Sequence, residues 1–443
     1  MGSGSRHRRR EEALKAGLPD PGASADAGDA ATQERRAHKV RQRLRRTEER
    51  HAGVEAILSK LTMPPADELG AFARVEDAPA WRGGNPAPVD WSKMDVSCDP
   101  ATMAHDGNEA AMRGDTVGDS NPGTDYKIRY SDSKSTADST LPPMMSLRAR
   151  RKRWQVESFA LVLRELSLTR TQSDPPLTVV DFGAGSGALV LPLAFCFPKM
   201  RFVAVEMKQR SCDLLMRRAA AAKLKNVTPR VTMIENFHDP FDVGVALHAC
   251  GNATDHVLVK SVLNKAHFAV SPCCIGKLKF SVKGGNSFGE EGKDWTRGRG
   301  DVDRNVENAQ KPDDIQNKDI SKERGINPAG SVLCVQITHP RSSWMSKQLP
   351  DSNDFSLLAC AADTGHAGEG DSAERIVQIG RRAKVHVELD RAQAAREQGY
   401  EVVAVSIIEG ANSPPNKNHM LIGAPGNNAA WLEGLRPVTN NEL

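Results

Sequence analysis

Few aromatic residues and no long apolar run are present in this sequence, and each absence narrows what the chain can be. Phe, Trp and Tyr make up 5% of its 443 residues, too few large side chains to pack a core along the whole length, so part of the chain is expected to stay unpacked. No apolar stretch approaches the roughly 18 to 20 residues that span a bilayer, which excludes a spanning helix and predicts no membrane partner. An apolar leader is also missing, so the eight cysteines at 98, 196, 212, 250, 273, 274, 334 and 360 do not read as a secreted disulfide framework. A reducing compartment is the expectation, the cytoplasm first and the nucleus second. Charge of one dominant sign is lacking too. The net charge of +4 names no partner by itself, and the placement of the charges carries more information.

What is present divides the chain. Residues 1–31 are rich in Arg, Gly, Ala and Asp without periodicity, which predicts a disordered tail. Over 32–63 the pattern becomes helical: Val40 and Leu44, then Val54, Ile57, Leu58 and Leu61 form an apolar stripe that Pro64 and Pro65 close. Arg35, Arg36, Lys39, Arg41, Arg43, Arg45 and Arg46 concentrate positive charge between 35 and 46. Two readings stand for that block: a contact to RNA phosphates, or a solvated helix paired with Glu34, Glu48 and Glu49. Residues 64–145 read as a disordered linker with isolated anchors at Trp81 and Trp91 and a docking segment around 79–94. A folded domain is predicted over 146–425, interrupted by a disordered Gly-, Asp- and Asn-rich insertion at about 279–329, and 426–443 reads as a polar tail.

The domain opens on a helix with Phe159, Val162, Leu163 and Leu166 on one face. Its entry, 148–153, carries Arg148, Arg150, Arg151, Lys152 and Arg153, cations that oppose the helix dipole. RNA phosphate is one candidate for the compensating anion, and a frayed first turn is the other reading. Strands are then expected at 177–182, 201–206, 231–234, 242–247, 267–270, 401–408 and 419–423, with an ordered segment at 332–337. Helices are expected at 188–197, 210–225, 354–362 and 385–398, and Pro192 should bend the first of them or free a carbonyl. Such alternation predicts a parallel sheet with helices on both faces.

The stretch Leu177–Gly187, LTVVDFGAGSG, reads as a buried strand running into a glycine turn that opens a helix. The turn fits the glycine pattern of methyl-donor enzymes and that of dinucleotide enzymes. Charge separates the two. Asp181, two residues before Gly183, would repel a pyrophosphate but favour S-adenosylmethionine, whose sulfonium and ammonium are cationic. Gly183, Gly185 and Gly187 would cradle that donor. Glu206, nineteen residues after Gly187, closes the next strand where an acid accepts hydrogen bonds from ribose hydroxyls. Asn236 is placed either to meet an adenine edge, with Phe237 beside the ring, or simply to form a turn.

Two further segments fall at strand ends where ligands bind in open sheets: His248-Ala-Cys250-Gly251-Asn-Ala-Thr254-Asp255 and Ser271-Pro272-Cys273-Cys274. His248 reads as a general base for an acceptor or as a polar plug. Cys250 and Cys273 could act as paired thiols on a pyrimidine ring, or with Cys274 and His248 supply a zinc set. The spacing departs from the common zinc patterns, and small buried residues under a crowded site are the simpler reading, so no metal is assigned. Asp255 is either part of this wall or a charge favouring a helix N-terminus.

With VDFGAGSG, VALHACGNATD, SPCC and LDRAQAAREQGY in that order, the region from about 148 to 425 resembles the methyltransferase domain of the glutathione S-transferase C-terminal domain-containing proteins. It is similar to a wider group that includes eukaryotic tRNA 2′-O-methyltransferases with an H-x-C-G segment and a cysteine cluster. The resemblance implies a Rossmann-like class I methyltransferase sheet, seven strands, mostly parallel, with the donor at Asp181, Gly183, Gly185, Gly187 and Glu206. Nothing before residue 146 resembles a glutathione transferase helical domain, so glutathione binding is not carried over. The basic segments favour RNA as acceptor. A non-catalytic nucleotide- or RNA-binding scaffold and a protein methyltransferase are the alternatives.

Overall fold

The computed structural model describes residues 51–62, 89–102, 147–272, 274–280, 337–363, 371–407 and 419–436, with scattered positions between 34 and 50 and at 73, 74, 78 and 81. The expected tail at 1–31, most of the linker and of the insertion, the segment 332–336 and Cys273 lie outside the described residues.

Short β-branched runs become strands wherever both faces can be covered by helices, and here they assemble one sheet. Its strands are β1 (Ala73–Arg74), β2 (Thr178–Phe182), β3 (Arg201–Glu206), β4 (Val227–Val231), β5 (Val243–Leu247), β6 (His267–Ser271), β7 (Tyr400–Ser406) and β8 (His419–Pro425). They lie in the order β1-β7-β8-β6-β5-β2-β3-β4, with β8 antiparallel between β6 and β7 and the other pairs parallel. The seven strands β2 to β8 form the expected Rossmann-like sheet, mostly parallel, and β1 adds a two-residue edge. The chain order reverses between β2 and β5, the switch point where open parallel sheets bind ligands at their carboxyl ends.

Helices α1 (Leu147–Leu168), α2 (Val190–Cys196), α3 (Gln209–Ala221), α4 (Ala253–Leu263), α5 (Ser343–Gln348), α6 (Ser352–Ala362) and α7 (Asp371–Arg396) complete the layers. On one face Phe159 and Leu163 of α1 and Leu191 of α2 bury against Val179 and Phe202. On the other, Val257 of α4 and Leu389 of α7 bury against Val180, Phe182 and Phe268. Strand parity therefore sends Asp181 with Val179 toward the α1/α2 face.

Several boundaries differ from expectation. The third strand of the domain, expected at 231–234, lies four residues earlier as β4, because its Val-Thr-Pro-Arg-Val segment contains Pro229 and reads poorly as a strand. β4 is an edge strand, where a residue without an N–H is tolerated. Pro192 sits in the first turn of α2 without breaking it, and as the second expectation had it a carbonyl is freed: the bonds from Leu191 to Gly187 and from Leu193 to Leu189 pass over that of Ala188. Helix α7 begins at Asp371, well before the expected 385.

The segment beyond 425, expected as a polar tail, is packed, and the docking expected around 79–94 is present and extends to Cys98. Residues 426–436 form two short 3-10 helices that bury Trp431, Leu432 and Leu435 against the α1 side, so the chain stays in the core past 425. Within the expected linker, Val89 and Cys98 are buried in that same cluster, Arg153 pairs with Asp99 and lies 4.9 Å over the Trp91 ring, and Trp91 donates to Glu157 at 2.5 Å. The helical segment at 51–58 buries Val54, Ile57 and Leu58 against Phe355 and Leu358 of α6 and Leu278.

Candidate functional site: a cleft at the switch point

At the switch point β2 runs into three glycines whose φ angles are all positive, +80° at Gly183, +55° at Gly185 and +93° at Gly187. Side chains other than glycine's rarely adopt that conformation. Gly187 has a second requirement: a Cβ there would lie 2.7 Å from Leu191 and 3.2 Å from Leu215. The turn is held from outside by Arg218 of α3, whose guanidinium donates to the Ser186 carbonyl at 3.1 Å.

Glu206 ends β3 beside this turn. One of its carboxylate oxygens accepts from the Gly185 N–H at 3.1 Å and the other from the Lys208 N–H at 2.9 Å. Gly183 and Glu206 line a cleft of ≈ 220 Å³, together with Met207, Met233, Ile234, Glu235, His248 and Cys250 among others. The expected donor residues thus separate into wall and support. Gly183 and Glu206 form wall, whereas Gly185 and Gly187 shape the turn behind it.

Asp181 is not in the wall. It is 2% exposed beneath the turn, facing the start of α2, because strand parity directs it there. One of its oxygens is buried with no hydrogen-bond partner. Burial first, and then the neighbouring Glu206 carboxylate, push its pKa up to about 7, while the Val190 N–H acts in the opposite direction. The cleft is therefore backed by two carboxylates that repel one another, and a cation would relieve that repulsion.

Asn236 is exposed and outside the cleft wall. With β4 ending at Val231, residues 234–236 form a 3-10 turn, and Ile234 and Glu235 take the place expected for Asn236. Phe237 turns into the core, where its ring meets Phe182 edge-on at 5.5 Å.

His248 follows β5 and is an exposed residue of the cleft rim with φ +67°, a strained conformation for a residue with a Cβ. Its N–H donates to the Ser271 carbonyl at 3.3 Å, and the Gly251 N–H donates to the Cys274 carbonyl at 3.1 Å. The two sequence segments are therefore stitched together at the carboxyl edge. Cys250 lines the cleft, and its thiol lies 3.4 Å from the His248 carbonyl. Cys274 is half-buried beside them. Among the described residues no three His, Cys, Asp or Glu side chains converge as metal ligands would.

Asp255 lies in the first turn of α4, as its helix-opening reading expected, and outside the cleft lining. It is fully buried, and Arg391 of α7 grips it through two hydrogen bonds of 2.9 and 2.7 Å while also donating to the Gly251 carbonyl at 2.9 Å. Burial raises the Asp255 pKa, but Arg391, then His339 and Arg341, outweigh it and hold the carboxyl at about 2. A group held ionised this firmly is a poor proton shuttle, and its partners make it a brace for the turn after His248. Arg391, Glu388 and His419 were absent from the sequence candidates. A signal did exist, because Lys384, Glu388, Asp390 and Arg391 interrupt the apolar run of Ala383, Val387, Leu389 and Ala392, and every one of them is buried.

Residues 151–280, which carry β2 to β6 and the glycine-turn cleft, match the family model described as a methyltransferase domain. Among known proteins the chain is similar to a glutathione S-transferase C-terminal domain-containing protein of Xenopus laevis, 28% identical over 306 residues that cover 69% of this chain and 39% of that one. Its Homo sapiens counterpart is 27% identical over 282 residues, covering 64% and 34%. The chain thus spans little more than a third of the length of these relatives. A shorter match, 27% identical over 132 residues, covers 30% of this chain and 52% of a protein named ribosomal RNA small subunit methyltransferase G 3 of Bdellovibrio bacteriovorus.

Proposed function

We propose that the chain is an S-adenosylmethionine-dependent methyltransferase whose acceptor is RNA. The observation that carries the donor half is the acidic pair behind the cleft: Asp181, buried with one unpartnered oxygen and raised to about 7, beside Glu206 in the wall. A sulfonium and an ammonium fit that field, whereas a pyrophosphate would add to the repulsion. When bound, the donor supplies an electrophilic methyl group. The chain supplies the rest. Gly183 lets the backbone approach, Glu206 accepts from ribose hydroxyls, and His248 on the rim orients the acceptor.

Support for RNA is of two kinds. One relative is named a ribosomal RNA methyltransferase. Arg35, Arg45, Arg46 and Arg150 are exposed, although Arg45 pairs with Glu49 at 2.9 Å. Lys152 and Arg153 are turned inward, to the Pro100 carbonyl at 3.3 Å and to Asp99, which removes them from the expected phosphate contact.

Calorimetry with S-adenosylmethionine and with NADH tests the donor. Binding of NADH alone would overturn the reading. Radiolabelled methyl transfer into total RNA and total protein tests the acceptor, with Asp181→Ala and His248→Ala as controls. Label in RNA is expected; label confined to protein overturns the RNA assignment, and binding without transfer favours a scaffold.

A further inference from the structure

A methyl acceptor gives up a proton as it is alkylated, and the same sheet edge that carries His248 carries a second histidine with better support behind it. Leu247 pairs with Ser271 in the β5–β6 register, and Val270 pairs with Leu421 in the β6–β8 register. His248 and His419 therefore flank the end of β6 from opposite sides. Ser271 joins them: its carbonyl accepts from the His248 N–H, and its hydroxyl donates to the His419 carbonyl at 2.9 Å.

Behind His419 stands Glu388 of α7, its side chain fully buried and hydrogen-bonded to His419 Nδ1. Lys384, one turn earlier, lies 3.5 Å from the same carboxylate. Burial raises the pKa of Glu388, but Lys384 and then His419 outweigh it, so the carboxylate stays charged. A charged acceptor at Nδ1 places the proton on that nitrogen and makes Nε2 the basic one. The imidazole of His419 is 12% exposed while the Glu388 carboxylate is not exposed at all, so the histidine is the member of the pair that reaches the surface.

We propose that His419, oriented by Glu388, is the catalytic base for the methyl acceptor. The assignment rests on the methyltransferase reading above. The acceptor's lone pair forms the new bond to the methyl carbon as that carbon's bond to sulfur breaks, with the bonding pair staying on sulfur. The acceptor's proton moves to His419 Nε2. Glu388 offsets the imidazolium charge until water takes the proton away.

Substitution by two amides separates this role from a structural one. His419→Asn keeps an N–H near the Nδ1 position to donate to Glu388 but removes Nε2. Melting temperature and calorimetric affinity for S-adenosylmethionine should match wild type, while kcat for transfer into total RNA falls about 100-fold or more and KM is unchanged. His419→Gln should lose transfer equally. An Asn variant that transfers within about threefold of wild type overturns the assignment, and so does one that fails to fold, since the pair is then a structural brace. Wild type that binds no S-adenosylmethionine, or binds it and labels nothing, overturns the methyltransferase reading instead.

Discussion

Binding of S-adenosylmethionine should depend steeply on pH, and the dependence should vanish with one side chain. Asp181 sits near pKa 7 in the free protein because burial and Glu206 disfavour its charge. A bound sulfonium favours the ionised carboxylate, so the donor selects the deprotonated form. With a pKa of about 7 only about 1% of the free protein is ionised at pH 5 and about half at pH 7, and apparent affinity scales with that fraction. Kd should therefore fall about 50-fold from pH 5 to pH 7, a range in which the donor's own amine, near pKa 8, stays protonated. About half a proton should leave per donor bound at pH 7 and nearly one at pH 6. Titration calorimetry in two buffers of different ionisation enthalpy measures both quantities. In Asp181→Asn the pH dependence should disappear, with weaker binding at pH 7. A wild-type Kd constant within threefold over this range, without proton release, would refute the electrostatic argument for the donor.

Three other outcomes follow from the same packing. The free protein should lose stability as pH rises, because the Asp181 pKa is raised from 3.8 to about 7: its favourable contribution is complete below 3.8 and disappears as pH climbs through 7. The shift corresponds to about 4 kcal/mol at most, so Asp181→Asn should melt higher than wild type at pH 8 and no higher at pH 4. Gly187→Ala should cost about 2–4 kcal/mol in urea unfolding, since it combines φ +93° with a Cβ 2.7 Å from Leu191; a change below 1 kcal/mol would contradict the turn geometry. Arg391→Met should cost about 3 kcal/mol, because buried Asp255 loses both of its guanidinium hydrogen bonds and keeps only the longer contacts to His339 and Arg341, and adding Asp255→Leu should recover part of that loss in the same assay.

The parts of the site that could be read without coordinates are those whose chemistry is local. A strand, an acid and three glycines within eleven residues predict a donor turn, because each glycine answers a backbone requirement inside the turn itself. Glu206 was equally accessible, since the βαβ unit sets its distance from the turn. Asn236 takes the turn that was the second of its two readings, outside the cleft wall, because Pro229 hid the true extent of β4 and the strand ends at Val231. Asp255 likewise takes the second of its two readings, an acid in the first turn of a helix, and only the packing of α7 supplied Arg391, more than a hundred residues away in the chain, to neutralise it.

Sequence alone thus determined the sheet class, the glycine turn and the acid that closes β3, since periodicity and backbone conformational demand act over a few residues. Tertiary structure decided which side chains share an environment. It turned Asp181 beneath the cleft instead of into it, joined His248 to His419 through Ser271, and placed Glu388 behind His419 and Arg391 behind the turn after His248. Electrostatic partnership depends on distance in space, and strands β5, β6 and β8 become neighbours only when the sheet is assembled.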